Sequence, residues 1–265
     1  MDIAIALALR VMTLNCAHGA RAPLPPLLVG RAAIARNLDA IGAAIDDVHP
    51  DVVALQEIDR RAFWSGHLDE VALVAGGSHM PHFAFGAHKN VPGLGLHHGT
   101  AVLSRPALHA PESKAFHTSL LDDKGWVRVT ITPEALGGRA IDVVSVHLDP
   151  FTPWARREQI AMMARAFEHR ERPLVVMGDM NASWGKKGGG DTACLARALG
   201  LHAWQPEASA GGALGTYPAG RPWRRIDWIL LSPELAFASY AAVPAHVSDH
   251  RGVVADIVLA PEVRP

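Results

Sequence analysis

The sequence predicts an α/β fold built on mixed sheets. Three observations carry this reading. Short apolar, β-branched runs recur along the chain, as buried strands require. Segments of helical periodicity separate some of these runs but not all of them. A purely parallel sheet would need a helix at every crossover, and too few helices are predicted for that. Composition agrees: of 265 residues, 49% are hydrophobic and 19% charged, which suits a large core and argues against disorder. No linker, repeat or low-complexity block divides the elements. Residues 1–265 therefore read as a single domain, with a leading segment at 1–9 and a tail at 260–265.

Taken in order, "LRVMTLN" (Leu9 to Asn15) has the content of a buried strand. "GRAAIARNLDAIGAAIDDVHPD" follows as a helix, because Ile34, Leu38, Ile41, Ile45 and Val48 recur at spacings of three and four and form one apolar face. Pro50 ends it. "DVVALQE" is a short strand ending in Glu57. A second helix is expected from about Leu68 to Ala75, stopped by Gly76 and Gly77. "TAVLS" and "WVRVTIT" read as strands, and the alternation of Val127, Val129 and Ile131 predicts one wet face for the latter. "AIDVVSVHLD" is another strand. The next helix has Thr152 as N-cap, Pro153 at its first position, and Ile160, Met163 and Phe167 as its inner stripe. "PLVVMGD" is a strand followed by the glycine-rich loop "WGKKGGG". A short helix capped by Asp191 ends at Gly200, and "RIDWILLS" and "GVVADIVLA" are the last strands.

Bulk properties narrow the function. The formal net charge is −1, without the basic excess usual for a nucleic-acid binder. The two cysteines, Cys16 and Cys194, lie in no CxxC pair, so neither a zinc–cysteine site nor a disulfide scaffold is expected. No apolar run approaches the ~20 residues of a membrane span. The opening "MDIAIALALR" lacks the basic stretch of a signal peptide and reads as the lead-in to the first strand. A cytoplasmic location is the resulting expectation. The sequence names no protein partner.

Polar side chains collect at the ends of the apolar strands. "VMTLN" ends in Asn15 and "VVALQE" in Glu57; "VVSVHLD" delivers His147, "LVVMGDMN" delivers Asp179 and Asn181, and "RIDWIL" carries Asp227. "SDH", with Asp249 and His250, precedes the final strand. Singly, each is an ordinary hydrogen-bonding or turn residue. Gathered in one place they are costly unless they pair or bind a cation. Strand-end loops are also where a rigid scaffold presents functional groups.

With these residues in view, the chain resembles the endonuclease/exonuclease/phosphatase superfamily, the DNase I-like proteins. The matching segments are "MTLNCAHG", "DVVALQEID", "GTAVLS", "VSVHLD", "GDMNA", "RIDWIL" and "SDHRGVVADI", in the family's order and spanning residues 11 to 257. The resemblance implies a four-layer α/β sandwich, two mixed β-sheets packed face to face with helices outside. It places an active site at one edge, where strand-end loops converge. It also implies a divalent-metal-dependent hydrolase of phosphate esters using Mg²⁺, with Mn²⁺ as substitute. The oxygen-rich, cysteine-poor inventory suits that hard ion.

Carried over residue by residue, Glu57 is the principal metal ligand with Asn15 beside it, and Asp249 a further candidate. Asp179 would orient and deprotonate the attacking water, and Asn181 would hold phosphate or water in line. His147 and His250 would donate hydrogen bonds to phosphoryl oxygens, and Asp227 would orient His250. Some family members carry a carboxylate two residues after the first Asn; here Ala17 stands there, which favours one tightly held cation. Thr100 stands where many carry Asn.

The expected substrate is a phosphodiester: a small molecule, a lipid head group or nucleic acid, with the neutral composition favouring the first two. Arg156, Thr100 and Trp184 are candidate substrate contacts, and the connecting segments 88–98, 118–125, 184–190 and 206–224 are expected to choose among substrates. The alternatives are a nuclease acting on DNA or RNA, and a non-catalytic binding module of the same fold.

Overall fold

A computed structural model of the chain describes residues 8–21, 26–91, 96–118, 124–205, 212–243 and 246–261. The expected leading segment is therefore described only from residue 8, and the tail only to residue 261. Strand β1 (Leu9–Asn15) is followed by a tight turn at Ala17–Gly19, and then come α1 (Pro26–Val29) and α2 (Arg31–Val48). Then come β2 (Val52–Arg60), α3 (Glu70–Gly77), β3 (His82–Val91) and β4 (Leu96–Ser104). The second half supplies β5 (His109–Ala115), β6 (Gly125–Ile131), β7 (Ile141–His147), α4 (Pro153–Ala166), β8 (Leu174–Asp179), α5 (Asp191–Ala198), β9 (His202–Ala203) and β10 (Asp227–Leu231). The chain closes with β11 (Leu235–Val243) and β12 (Gly252–Leu259).

These strands form two six-stranded sheets, in the orders β11-β12-β1-β2-β4-β3 and β5-β6-β7-β8-β10-β9. Each sheet has one parallel pair at its centre, β1 with β2 and β7 with β8, and the other pairings are antiparallel. The central strands are nearly continuous apolar runs because both of their faces are covered. Between the sheets, Val11, Val52 and Ala54 of one meet Val129, Val143, Val175 and Ile229 of the other. Outside the first sheet, Met12, Leu14, Val53 and Leu55 pack under the α2 and α3 residues Ile34, Leu38, Ile41, Val71 and Val74. Outside the second, Val144, Val146, Val176 and Leu230 pack under Ile160 and Met163 of α4 and Leu195 and Ala196 of α5. The architecture is the four-layer α/β sandwich that the family resemblance implies, with the mixed sheets that the sequence predicts.

Several local expectations are corrected. Helix α3 begins at Glu70, where the Asp69 side chain accepts a hydrogen bond from Ala72 N at 3.1 Å. It runs through Gly76 and Gly77 rather than stopping at them. Gly77 faces Gly42 of α2 so closely that a Cβ on Gly42 would lie 2.9 Å from the Gly77 backbone; the pair serves helix packing. Strand β6 has no wet face, since Trp126 packs on Phe167 (5.2 Å between centroids) and the Arg128 guanidinium lies over the same ring. Asp191 is the first residue of α5 and Gly190 its cap. Thr152 sits at the N-cap of α4, but its hydroxyl donates to Asp149 Oδ1 at 2.8 Å instead of capping.

The strands absent from the sequence reading are β3, β5, β9 and β11, the four edges of the two sheets. An edge strand need not bury both faces and often carries charge against unwanted pairing. "HAPESKA" of β5 is exposed along most of its length, so no apolar run marks it.

Candidate active site

The parallel pairs bring their C-terminal ends to one edge of the sandwich. His147, the last residue of β7, is in register with Asp179, the last residue of β8. Asp227 opens the antiparallel β10 and is also in register with Asp179. Three polar residues thus stand side by side across one sheet. From the other sheet, Asn15 ends β1 and its Nδ2 donates to Asp179 Oδ2 at 3.0 Å. Gly178 is required before Asp179: its φ is +153°, and a Cβ there would collide with the Val146 carbonyl of the neighbouring strand.

Asp179 is buried and immobilised. Its Oδ1 accepts from Asn181 N at 2.8 Å, and His147 Nε2 and His250 Nε2 stand 3.5 and 3.9 Å from Oδ2. Burial, reinforced by the charge of Asp227, pushes this carboxyl up to about 7. His250 takes the opposite course. Burial works against its charge, but Asp227, 2.9 Å from Nδ1, and then Asp179 outweigh it and hold the imidazolium up to about 10. His147 is held neutral by burial and by the nearby Lys124 ammonium. The Asn181 amide, in a left-handed backbone conformation with φ +50°, lies 3.0 Å from His147 Nε2 and donates to the Leu148 carbonyl at 3.0 Å.

Glu57 reaches the same edge by a different device. The pairing of β2 with β4 slips between Gln56 and Ile58, and Glu57 is the extra residue, with φ +47°. Such a bulge re-aims a side chain. The carboxylate is surrounded by positive or protonatable groups: Lys124 Nζ at 3.5 Å and His147 Nε2 at 3.8 Å on Oε1, and His18 Nε2 at 3.8 Å on Oε2. Burial opposes its charge, but Lys124, His18 and His147 together hold it well below the usual carboxylate range. Half-buried Asp249 is raised by burial and, among other causes, by the charge of Glu57.

The structure brings Asn15, Glu57, His147, Asp179, Asn181, Asp227 and His250 together. It gives the three candidate substrate contacts other tasks. Arg156 is buried, its Nε donating to Asp191 at 2.7 Å and its Nη1 to the Asp149 carbonyl at 3.0 Å, which pins α4 to α5. Thr100 is wholly buried and 2.9 Å from His88 Nε2. Trp184 packs on Trp228, 5.9 Å between centroids, and joins the core beneath the helices. Of the segments expected to choose substrates, His88 and His98 belong to strands, and residues 92–95, 119–123 and 206–211 lie outside the described residues.

Sequence reasoning missed Lys124 and a cluster beside Glu57. Asp59, fully buried, accepts from Trp64 Nε1 at 2.9 Å and lies 3.0 Å from His18 Nδ1 and 3.2 Å from His98 Nδ1. Burial opposes charge on His18, but Asp59 and Glu57 raise it to about 9. Two of these residues were within the quoted motifs, His18 in "NCAHG" and Asp59 two places after Glu57. Their polarity at a strand end was the signal available.

The sequence model of the Endonuclease/Exonuclease/phosphatase family matches residues 12–250. Protein YbhP of Escherichia coli K12, itself uncharacterised, is 31% identical over 183 residues, 67% of this chain and 68% of YbhP. A crystal structure of an endonuclease/exonuclease/phosphatase from Beutenbergia cavernae superposes with a TM-score of 0.74 at 21% identity, covering 96% of this chain and 72% of that one. The mannosyl-6-phosphatase of Bacteroides thetaiotaomicron superposes at 0.71 and 14% identity, covering 95% and 100%. The extent of the family match settles the assignment: the chain belongs to the endonuclease/exonuclease/phosphatase family, whose members are phosphoester hydrolases.

Proposed function

We propose that the protein is a divalent-cation-dependent phosphodiesterase in which Asp179 activates water for in-line attack on phosphorus. The observation that supports it most is geometric: the buried Asp179 carboxyl accepts from Asn181 N and Asn15 at 2.8 and 3.0 Å and has His147 and His250 Nε2 at 3.5 and 3.9 Å, and burial raises its pKa. A general base works best with a pKa near the operating pH.

The donor set fits a divalent cation. Glu57 is ionised, its neighbours Lys124, His18 and His147 stand at 3.5–3.8 Å rather than in short hydrogen bonds, and its side chain is 25% exposed. Asn15 Oδ1 accepts one bond, from Ala17 N at 2.9 Å, and retains a second lone pair. Glu57 and Asn15 would hold the ion, with Asp249 as a further oxygen, and Mg²⁺ or Mn²⁺ suits those donors. The ion would offset charge on a phosphoryl oxygen and on the leaving oxygen.

The chain's own residues do the rest. Asp179 takes the proton of the attacking water as the new P–O bond forms and the ester P–O bond breaks. Asn15 and the Asn181 backbone N–H keep that carboxylate aligned. His250, held protonated by Asp227, donates to a phosphoryl oxygen as charge develops, and such preorganised donors are worth about 3 kcal/mol each. Asn181 and neutral His147 fix the phosphate from the other side.

The test is hydrolysis of bis-p-nitrophenyl phosphate and of p-nitrophenyl phosphate with Mg²⁺ or Mn²⁺, with EDTA and Asp179→Ala as controls. Diester turnover abolished by both controls is expected. Monoester turnover alone would replace the diesterase reading with a phosphatase. Salt-sensitive nicking of DNA or RNA would make the protein a nuclease. Activity that survives EDTA or Asp179→Ala would overturn the mechanism.

A further inference from the structure

We propose that His18 provides a nitrogen ligand, through Nε2, to the cation held by Glu57, so that the site favours a borderline transition ion such as Zn²⁺ over Mg²⁺. This rests on the reading of Glu57 as a cation ligand. His18 Nε2 stands 3.8 Å from Glu57 Oε2, on the side of the carboxylate away from Lys124 and His147, whose contacts are with Oε1. Two ligands sharing one tetrahedral ion lie about 3.4 Å apart, so a small closure suffices.

The other ring nitrogen is already committed. Nδ1 bonds to Asp59 Oδ2 at 3.0 Å, and Asp59 is anchored in turn by Trp64 and by His98. A ligating imidazole typically carries this carboxylate behind it, which fixes the tautomer and aims Nε2. A cation placed instead between the two Nδ1 atoms and Asp59 would break these hydrogen bonds, whereas ligation by Nε2 keeps them. Any proton on Nε2 leaves to solvent as the metal bond forms.

The backbone supports the same pairing. Ala17, His18 and Glu57 have φ of +46°, +53° and +47°. A non-glycine residue in that region is strained and persists where the surroundings impose it, commonly at functional sites. Two of these three, His18 and Glu57, face each other. Mg²⁺ prefers oxygen and dehydrates reluctantly, whereas imidazole suits zinc-like ions.

The experiment compares wild type with His18→Asn and Glu57→Gln. Asn keeps a donor near the Nδ1 position, lacks Nε2, and tolerates the left-handed backbone. Calorimetric titration with Zn²⁺, Mn²⁺ and Mg²⁺ is paired with pulsed electron paramagnetic resonance of bound Mn²⁺, which reads nitrogen ligands directly. Expected results are a loss of about tenfold or more in Zn²⁺ affinity for His18→Asn, a smaller change for Mg²⁺, and loss of one nitrogen coupling. Glu57→Gln should lose the ion altogether. If Glu57→Gln loses it while His18→Asn matches wild type in affinity and coupling, the assignment of His18 is wrong and the reading of Glu57 stands. If Glu57→Gln binds like wild type, both fall.

Discussion

Asp179→Asn separates the catalytic from the structural consequences of one buried carboxylate. The substitution keeps shape and removes charge. In the metal-free protein the carboxyl titrates at about 7, against an ordinary value of 3.8. The folded state therefore binds its proton more tightly than the unfolded chain, and stability falls as pH rises through that window. With roughly 1.4 kcal/mol per pH unit, the full penalty is about 4 kcal/mol above pH 7. Asparagine escapes it, but its amide has one acceptor oxygen where the carboxylate has two, so one of the bonds from Asn15 and Asn181 N survives as a neutral one and the other is lost, at a pH-independent cost of about 1–3 kcal/mol. The stability of the variant relative to wild type should thus improve by about 2–3 kcal/mol between pH 5 and pH 8. Urea unfolding in EDTA across that range reads the difference. Activity should move the other way, falling about 10²–10⁴-fold with the loss of the general base. Parallel stability curves for the two proteins, or activity within tenfold of wild type, would refute the reasoning.

The remaining expectations follow the same logic. In Asp227→Asn, His250 loses its main positive influence, so the alkaline limb of kcat/KM, expected near 10, should move down by a pH unit or more. The stability that charged His250 contributes is complete below about 6.5 and lost as pH rises through about 10. The destabilisation of Asp227→Asn should therefore shrink between pH 6 and pH 10, and an equal loss at both would contradict the pairing. Gly178→Ala forces a Cβ onto the Val146 carbonyl and should cost about 1–3 kcal/mol together with most of the activity, measured by thermal unfolding and diester turnover. Leu38→Ala empties a fully buried position under the first sheet and should cost about 2–5 kcal/mol in urea unfolding while leaving kcat unchanged.

Strands β1, β2, β7, β8 and β10 were legible because a strand covered on both faces must be apolar throughout. The edges β3, β5, β9 and β11 were not, because nothing obliges an edge to be apolar. The α2 stripe was legible for the same reason as the central strands: Ile34, Leu38, Ile41 and Ile45 are all fully buried. Among the polar residues, those closing an apolar run stood out. Arg156 looked equally available from its place after "HLDPFTP", yet Asp191, on a different helix, claims it. His18, Asp59, His98 and Lys124 escaped notice because they come from four separate segments.

Local patterning was enough to determine that central strands are buried and that their ends carry amides, carboxylates and imidazoles, since burial writes periodicity into the chain. Tertiary structure decided which of these groups meet. Register places His147 and Asp227 beside Asp179. A single-residue bulge turns Glu57 toward Lys124 and His18. Packing of one sheet on the other lets Asn15 reach Asp179. The resulting charges are decided there as well. A carboxyl at about 7 and an imidazolium at about 10 arise from burial and from neighbours remote in the chain, and these exist only once the two sheets have closed.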